Sequence, residues 1–496
     1  MADESVPAAL IETHLSVVVC MGEHAYKLKK PVTFDFVDQS TQPAREALCH
    51  QEVARNRRLS PDVYQGVADV VGPDGAICDH LVVMARMPDD RRLSTLVTAG
   101  DPDAVDGLAD LAGVVARFHR GAARSLEIDR AGDADVLRMR WEANAREMRP
   151  FEGQELPPGL VDATLERALT YLEGRDQLFA RRQAEGSICD GHGDLLASDI
   201  FLLPDGPRVL DCIDFDERLA HGDVASDVAF LAMDLERLGG PELARRWVCA
   251  YEDAADARLP PSLLEHYIAY RAQVRAKVAA IRARQRRGPG DLDPAAGQLL
   301  DLCDAHLRRA TVRLVLVGGA PGTGKSTVAD IIGRQPGWRV VRSDVVRKEA
   351  HGMAAADDAA AGWREGIYSP ISTELTYAAL GELAAAAMRQ GESVVLDASF
   401  ASASHRAMAR RVARECSAEV IELRCELAPD ERDRRITRRR QLRGGPSDAD
   451  AAIARRLDRG ADDWPEAHPI PTGAAPRIVA AEVEGLVDRW VERPIR

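Results

Sequence analysis

The segment GGAPGTGKST, ending at Thr327, gathers the residue types that can hold a polyphosphate. Gly319, Ala320, Pro321, Gly322, Thr323 and Gly324 give a backbone little encumbered by side chains, so successive N–H groups can curl around phosphate oxygens. Lys325 adds a cation able to bridge β- and γ-phosphates, and Ser326, followed by Thr327, adds a hydroxyl suited to Mg²⁺. The run RLVLVGG before the loop is strand-like and apolar, and STVADIIG after it is amphipathic. The loop therefore opens a helix, whose amino end adds positive potential. The pattern predicts a site for ATP and Mg²⁺.

Three further features around that loop fit phosphoryl transfer to a hydroxyl. In SDVVRK, Asp344 ends a strand at the carboxyl edge, where ligands of open α/β sheets sit, and can accept a hydroxyl proton. Arg347, one turn on, would hold an anionic or polar acceptor group. In VVLDASF, Asp397 ends a buried strand and is placed to hold a Mg²⁺-bound water. Helix or strand capping is the plainer role for either aspartate. The third feature is ERDRRITRRRQLR, with seven arginines in thirteen residues. Arg435 and Arg439 lie four apart on one helical face, where they can neutralise charge on a transferred phosphoryl group or simply be solvated.

A second chemistry lies upstream in GHGDLLASDIFLLPDGPRVLDCIDFDE. Asp194 and Asp199 in one loop stand near twenty residues before Asp214 in another, with a strand turn at Pro204–Pro207 between them. Two such loops can converge on a metal–phosphate centre, for which Asp or Asn supplies the hard oxygen ligands of Mg²⁺. Farther on, YRAQVRAKV puts Arg271 and Arg275 on one helical face, either over an anionic acceptor or in a solvated charged stripe.

The elements that must position these residues fall into two halves. Residues 14–30 read as a β-hairpin turning near Gly22, PAREALCHQEVARNRRL as a helix and ICDHLVVMARM as a strand. From about 105 the chain is largely helical. Charge, Pro and Gly crowd together in RQRRGPGDLDPAAG, a boundary composition between about 288 and 310. Beyond it RLVLVGG, WRVVRSD, ESVVLDASF and EVIELRCEL alternate with helices, which implies a parallel sheet covered on both faces. The helix TELTYAALGELAAAAMRQG closes on Gly391, which suits a left-handed terminal residue.

On GGAPGTGKST, SDVVRK, VLDASF and RRITRR, the stretch 310–480 resembles the P-loop kinase group of gluconate and shikimate kinases, zeta-toxin kinases and polynucleotide 5′-kinases. The resemblance implies Asp344 as the hydroxyl-activating base and Arg435 and Arg439 as lid arginines. The upstream His192-Gly193-Asp194, Asp199 and Ile213-Asp214-Phe215 resemble the aminoglycoside phosphotransferase and choline-kinase branch of the protein-kinase-like fold. That resemblance implies Asp194 as catalytic base, Asp199 and Asp214 as Mg²⁺ ligands, and His192, aided by Asp227, as the residue that positions the loop. It also implies a nucleotide lysine, Lys29 with Lys27 as rival, a helix partner in Glu52, and a hinge at Met84–Met87 against the adenine. The sequence departs from that pattern at Asp199, where Asn is usual, and in a phosphate-covering hairpin marked by Gly22 alone. The pairing resembles bacterial two-domain proteins that join the two types.

The expected fold class is thus α/β and α+β. A bilobal kinase-like domain over 1–300 (small lobe about 1–86, large lobe about 87–290) precedes a P-loop domain over 308–496. The expected function is ATP-dependent phosphoryl transfer at two sites to hydroxyls of a small-molecule acceptor, with a P-loop-only enzyme as the alternative. A net charge of −14 speaks against a dedicated nucleic-acid partner, though not against a local basic cleft. Nine scattered cysteines, an acidic amino terminus and no long apolar run point to a reduced cytoplasmic chain without a membrane partner. The motifs leave the acceptor and the oligomeric state open.

Overall fold

The computed structural model describes residues 9–12, 15–34, 37–287, 294–354, 366–441 and 451–492. The chain divides into two compact units. The first gathers Met1–Met139, Arg181–Leu259 and Tyr267–Ala279, and the second gathers Arg140–Ala180, Pro260–His266 and Ala280–Arg496.

In the first unit an antiparallel sheet runs in the order Ala9–Glu12, Ser16–Met21, His24–Lys29, Ile77–Ala85, Tyr64–Val71. Met21 pairs with His24, so the hairpin between them turns in two residues. Gly22 takes the first of these with φ +58, a conformation that side chains disfavour. Alternation then places Ala25, Lys27 and Lys29 on one face. The helix Gln42–Asn56 starts where the Thr41 side chain accepts from the Ala44 amide, with Pro43 in the first turn. It buries Cys49, Glu52, Val53 and Asn56, so a carboxylate sits on the side where Cys49 and Val53 join a core with Ala25, Tyr64 and Val82.

The rest of the first unit centres on the helix Val224–Gly239, buried at every residue from Ala225 to Leu235. Asp223 caps it through the Ala225 amide and also takes two bonds from Arg182, at 2.7 and 2.8 Å. Trp247 donates to the Val228 carbonyl at 2.9 Å and fastens the neighbouring helix Pro241–Ala255. Two short antiparallel pairs, the hairpin Ile200–Leu203 with Gly206–Val209 and the more distant Ile188–Asp190 with His221–Asp223, carry the loops that hold the acidic motifs.

The second unit is built on a parallel five-stranded sheet. Its order is Trp338–Arg342, Ser393–Asp397, Arg313–Gly318, Glu419–Glu426, His468–Pro471. Arg313–Gly318 and Ser393–Asp397 are buried at every position, as a sheet with helices on both faces requires. The chain fills the side of Trp338–Arg342 and Ser393–Asp397 first and then crosses to Glu419–Glu426, so the order reverses at Arg313–Gly318, where such sheets open a crevice at the carboxyl end. Gly391 closes the helix Pro370–Arg389 with φ +83, the left-handed value expected there.

The helix Leu160–Glu173 and the turn after it belong to this second unit. Arg175 anchors them: fully buried, it donates to the carbonyls of Gly174, Met388 and Cys416 at 2.7–2.9 Å and of Ser417 at 3.3 Å. All nine cysteines are unpaired. Among the described residues no helix is long and apolar enough to cross a membrane. Arg175→Met removes every one of these donors and leaves the carbonyls buried. It should lower stability by roughly 2–4 kcal/mol, read as a fall in the urea midpoint of the chain's unfolding.

Candidate functional site

In the first unit five charged side chains meet. Lys29 lies 2.8 Å from Glu52 and 2.8 Å from Asp214, while Lys27 lies 2.8 Å from the other Glu52 oxygen and 2.8 Å from Asp211. Burial alone would push the Glu52 carboxyl up, but the two lysines outweigh it and hold the group below the usual carboxylate range. Asp214 is pushed up by burial and by Glu52, against the pull of Lys29 and Lys27. Asp211 holds a left-handed backbone, φ +61, and its amide donates to the buried Tyr64 hydroxyl at 3.2 Å. Met87 packs, half-buried, against the same small core.

The HGD loop is fixed from below by Asp227. Its carboxylate accepts from the amides of His192 at 2.7 Å and Gly193 at 2.9 Å, and lies 3.2 Å from His119, whose other ring nitrogen lies 2.8 Å from the Tyr251 hydroxyl. Burial opposes the Asp227 anion, yet His119 outweighs it and the carboxyl is held well below its ordinary range. Burial pushes His192 down to about 4, so its ring is neutral. Nε2 lies 3.1 Å from the Leu210 carbonyl and Nδ1 accepts from the Asp194 amide at 3.3 Å, which selects the tautomer protonated at Nε2. The His192 carbonyl accepts from the Ile213 amide at 3.1 Å, and this ties the HGD loop to the loop of Asp214.

Within this frame Asp194 is pushed up to about 6, by burial first, with Arg275 and Arg271 opposing and Asp211 and Asp234 assisting. Asp199 is raised by burial and by the charges of Asp211 and Asp194. Its loop is held by the Ala197 amide on Asp234 at 3.0 Å. Among the described residues no group of three or more His, Cys, Asp or Glu gathers as a ready-made metal cluster. Mg²⁺ needs only one or two carboxylates beside phosphate oxygens, so the hard oxygens of Asp199 and Asp214 fit that ion.

In the second unit the phosphate loop is shaped by close packing. Gly319, Gly322 and Gly324 have φ of +132, +85 and +91. A Cβ on Gly319 would lie 2.7 Å from the Cys425 carbonyl, and one on Gly322 would lie 2.7 Å from Ile436. Lys325 folds back to donate to the Ala320 carbonyl at 3.1 Å, and Ser326 donates to Asp397 at 2.6 Å. Asp397 is raised by burial, with Lys325 and Ser326 opposing. Asp344 pairs with Arg347 at 3.1 Å, and Arg347, itself buried, stacks 4.9 Å over Tyr368. Arg435 donates to the Thr472 carbonyl at 3.0 Å and lies against Gly324, while the Arg439 side chain is outside the described residues. A cleft of about 330 Å³ adjoins the loop, walled by Phe400, Trp464, Arg406 and Arg432.

Residues 26–265 match the model of the phosphotransferase enzyme family, and residues 314–462 match that of an AAA domain. Uncharacterized proteins of Mycobacterium tuberculosis (strain H37Rv) and Mycobacterium bovis are 39% identical over 467 residues, 94% of this chain and 92% of theirs. The chain belongs to this two-domain family. Among solved structures, a choline/ethanolamine kinase family protein from Mesorhizobium loti is similar at 13% identity and TM-score 0.38, over 62% of this chain and 94% of that one. A gluconokinase from Sinorhizobium meliloti is similar at 15% identity and TM-score 0.27, over 37% and 94%.

The protein is therefore a kinase-type phosphotransferase with a phosphotransferase-family domain ahead of a P-loop domain. Its sites include residues that sequence reading passed over. Asp211 is one: three carboxylates in LDCIDFD were the only signal, and nothing in the spacing selected this one. His119, Tyr251, Asp234 and Trp464 carried no local signal. Asp227→Ala should free the His192 and Gly193 amides. We expect faster hydrogen exchange at these two amides and a loss of roughly 3 kcal/mol in stability, measured by exchange mass spectrometry and urea unfolding.

Proposed function

We propose that the protein is an ATP- and Mg²⁺-dependent phosphotransferase with two nucleotide sites. Each moves the γ-phosphoryl group to a hydroxyl of a small molecule such as a sugar, an aminoglycoside-like compound or a related polyol. The observation that carries this reading is that each unit assembles its own set of groups for it. Lysine, metal-type carboxylate and a further carboxylate able to take a proton occur in both: Lys29, Asp214 and Asp194 in one, Lys325, Asp397 and Asp344 in the other.

At the first site Lys29, oriented by Glu52, holds the nucleotide phosphates, Met87 lies against the adenine, and Asp199 and Asp214 would hold Mg²⁺. Asp194 takes the proton of the acceptor hydroxyl as the new O–P bond forms and the bond from Pγ to the leaving ADP oxygen breaks. At the second site the backbone of residues 319–327 and Lys325 cradle the phosphates, Ser326 and Asp397 would hold Mg²⁺, and Asp344 takes the proton. Arg347 positions the acceptor, and Arg435 with Arg439 offsets charge on the phosphoryl group.

A second reading makes only the P-loop unit catalytic, on a small molecule or a polynucleotide 5′-hydroxyl, with the first unit regulatory or docking. Asp199 in the place of Asn and the sparse glycine hairpin favour it. Mass spectrometry of acceptor panels with Mg·ATP decides between them. Asp194→Asn and Lys325→Ala should each abolish a different product, by roughly a hundredfold or more. If Asp194→Asn loses no product, the first unit is not catalytic.

The acid limb of the rate gives an independent check. A base must be ionised, and burial pushes the Asp194 carboxyl up to about 6. The Asp194-dependent rate should therefore climb with pH through about 6 and level off above it. A limb near pH 4 would contradict the burial seen here.

A further inference from the structure

Two arginines of the first unit stand beside the base without a carboxylate of their own. Arg271 and Arg275 lie on one face of the helix Pro261–Arg287, one turn apart. The Arg271 guanidinium rests 4.6 Å over the Phe230 ring and 5.7 Å from that of Tyr270, with its Nε buried and meeting no acceptor. Among the described residues neither arginine has a carboxylate within ion-pair distance, whereas Arg55, Arg58, Arg182 and Arg208 in the same unit all do. The lysines do not stand in for them, since Lys29 is assigned to the nucleotide phosphates and Lys27 pairs with Glu52 and Asp211.

Their location relative to the base follows from one helix. Asp227 on Val224–Gly239 holds the amides of the HGD loop, and Phe230, three residues on, carries Arg271 on its ring. Arg275 and Arg271 are the cations that favour the Asp194 anion, yet neither pairs with it directly. The buried Nε of Arg271 is left without an acceptor, and the planar fork of an arginine matches a carboxylate or phosphate. The same two charges would repel a cationic acceptor.

We propose that the acceptor of the amino-terminal site carries an anionic group, a phosphate or a carboxylate, which Arg271 and Arg275 hold while its hydroxyl faces Asp194. This rests on the reading of Asp194 as the base. It narrows the acceptor from polyols in general to sugar phosphates or sugar acids, and it sets aside amino sugars.

The test uses the full chain carrying Lys325→Met, so that only the first site can turn over. Titration calorimetry with Mg·AMPPNP present compares glucose 6-phosphate, ribose 5-phosphate and gluconate with glucose, ribose and kanamycin. At least one anion should bind tenfold or more tighter than its neutral parent, and R271M/R275M should remove about that tenfold while leaving Mg·AMPPNP affinity within about twofold. R275K should keep part of the preference. Phosphate-bearing and carboxylate-bearing anions distinguish the two sources. The proposal is overturned if no anion of the panel binds, if glucose or kanamycin binds as tightly, if the double substitution leaves anion binding intact, or if the loss falls on Mg·AMPPNP instead. Product formation by Asp194→Asn in the same background tests the base separately: product that survives sinks that reading, whatever the binding preference is.

Discussion

The amino-terminal unit depends on one buried carboxylate. Glu52 is fully buried, and a charge taken that far from water costs several kcal/mol unless it is paired on every side. It is paired by two lysines, which a single strand can offer because residues 27 and 29 point the same way. Each lysine then needs its second anion, Asp211 or Asp214, from the loop beyond the short hairpin pair. Sheet, helix and acidic loop are thus fixed at a single point. Shifting any of them would strand a buried charge, at about 3–5 kcal/mol. The charged groups of this cluster thereby hold one another in place.

The P-loop unit reaches a comparable end by sterics. There the loop's shape is set by what surrounds its glycines. Trp464 covers Gly318, the Cys425 carbonyl crowds Gly319, and Ile436 crowds Gly322. Thr472 ties the loop to the last strand by donating to the Thr323 carbonyl at 2.5 Å. The two units therefore respond differently to change. A charge deletion unbalances the first, whereas an added methyl group deforms the second.

These differences explain which parts could be read from the sequence. Strand alternation made Lys27 and Lys29 visible as one face, and their shared partner explains why spacing alone did not rank them. Helix–strand alternation, the phosphate-loop spacing and the left-handed Gly391 are local properties, so the parallel sheet and its loop were legible. Asp227 acts on amides 34 and 35 residues away and on a histidine 108 residues away. Arg175 binds carbonyls 213 and 241 residues on. No periodicity encodes such partners. Helices between 140 and 180 look locally like their neighbours, and distant partners such as the acceptors of Arg175 reveal which core they bury in.

The replacement of Asn by Asp at position 199 looks different once the charges around it are placed. By itself it adds a negative charge beside Asp211 and Asp194. The same site has a second lysine, Lys27, and a second loop aspartate, Asp211, which pair at 2.8 Å. Asp211 is also the leading charged neighbour acting on Asp199. Lys27 thus offsets Asp211, while Asp199 stays a carboxylate that burial and the like charges of Asp211 and Asp194 push toward its protonated form. Asp211 itself is held in a left-handed backbone, φ +61, with its amide donating to the buried Tyr64 hydroxyl. A carboxylate pressed by two like charges favours a proton or a cation beside it, which is the physical content of Asp in the place of Asn here.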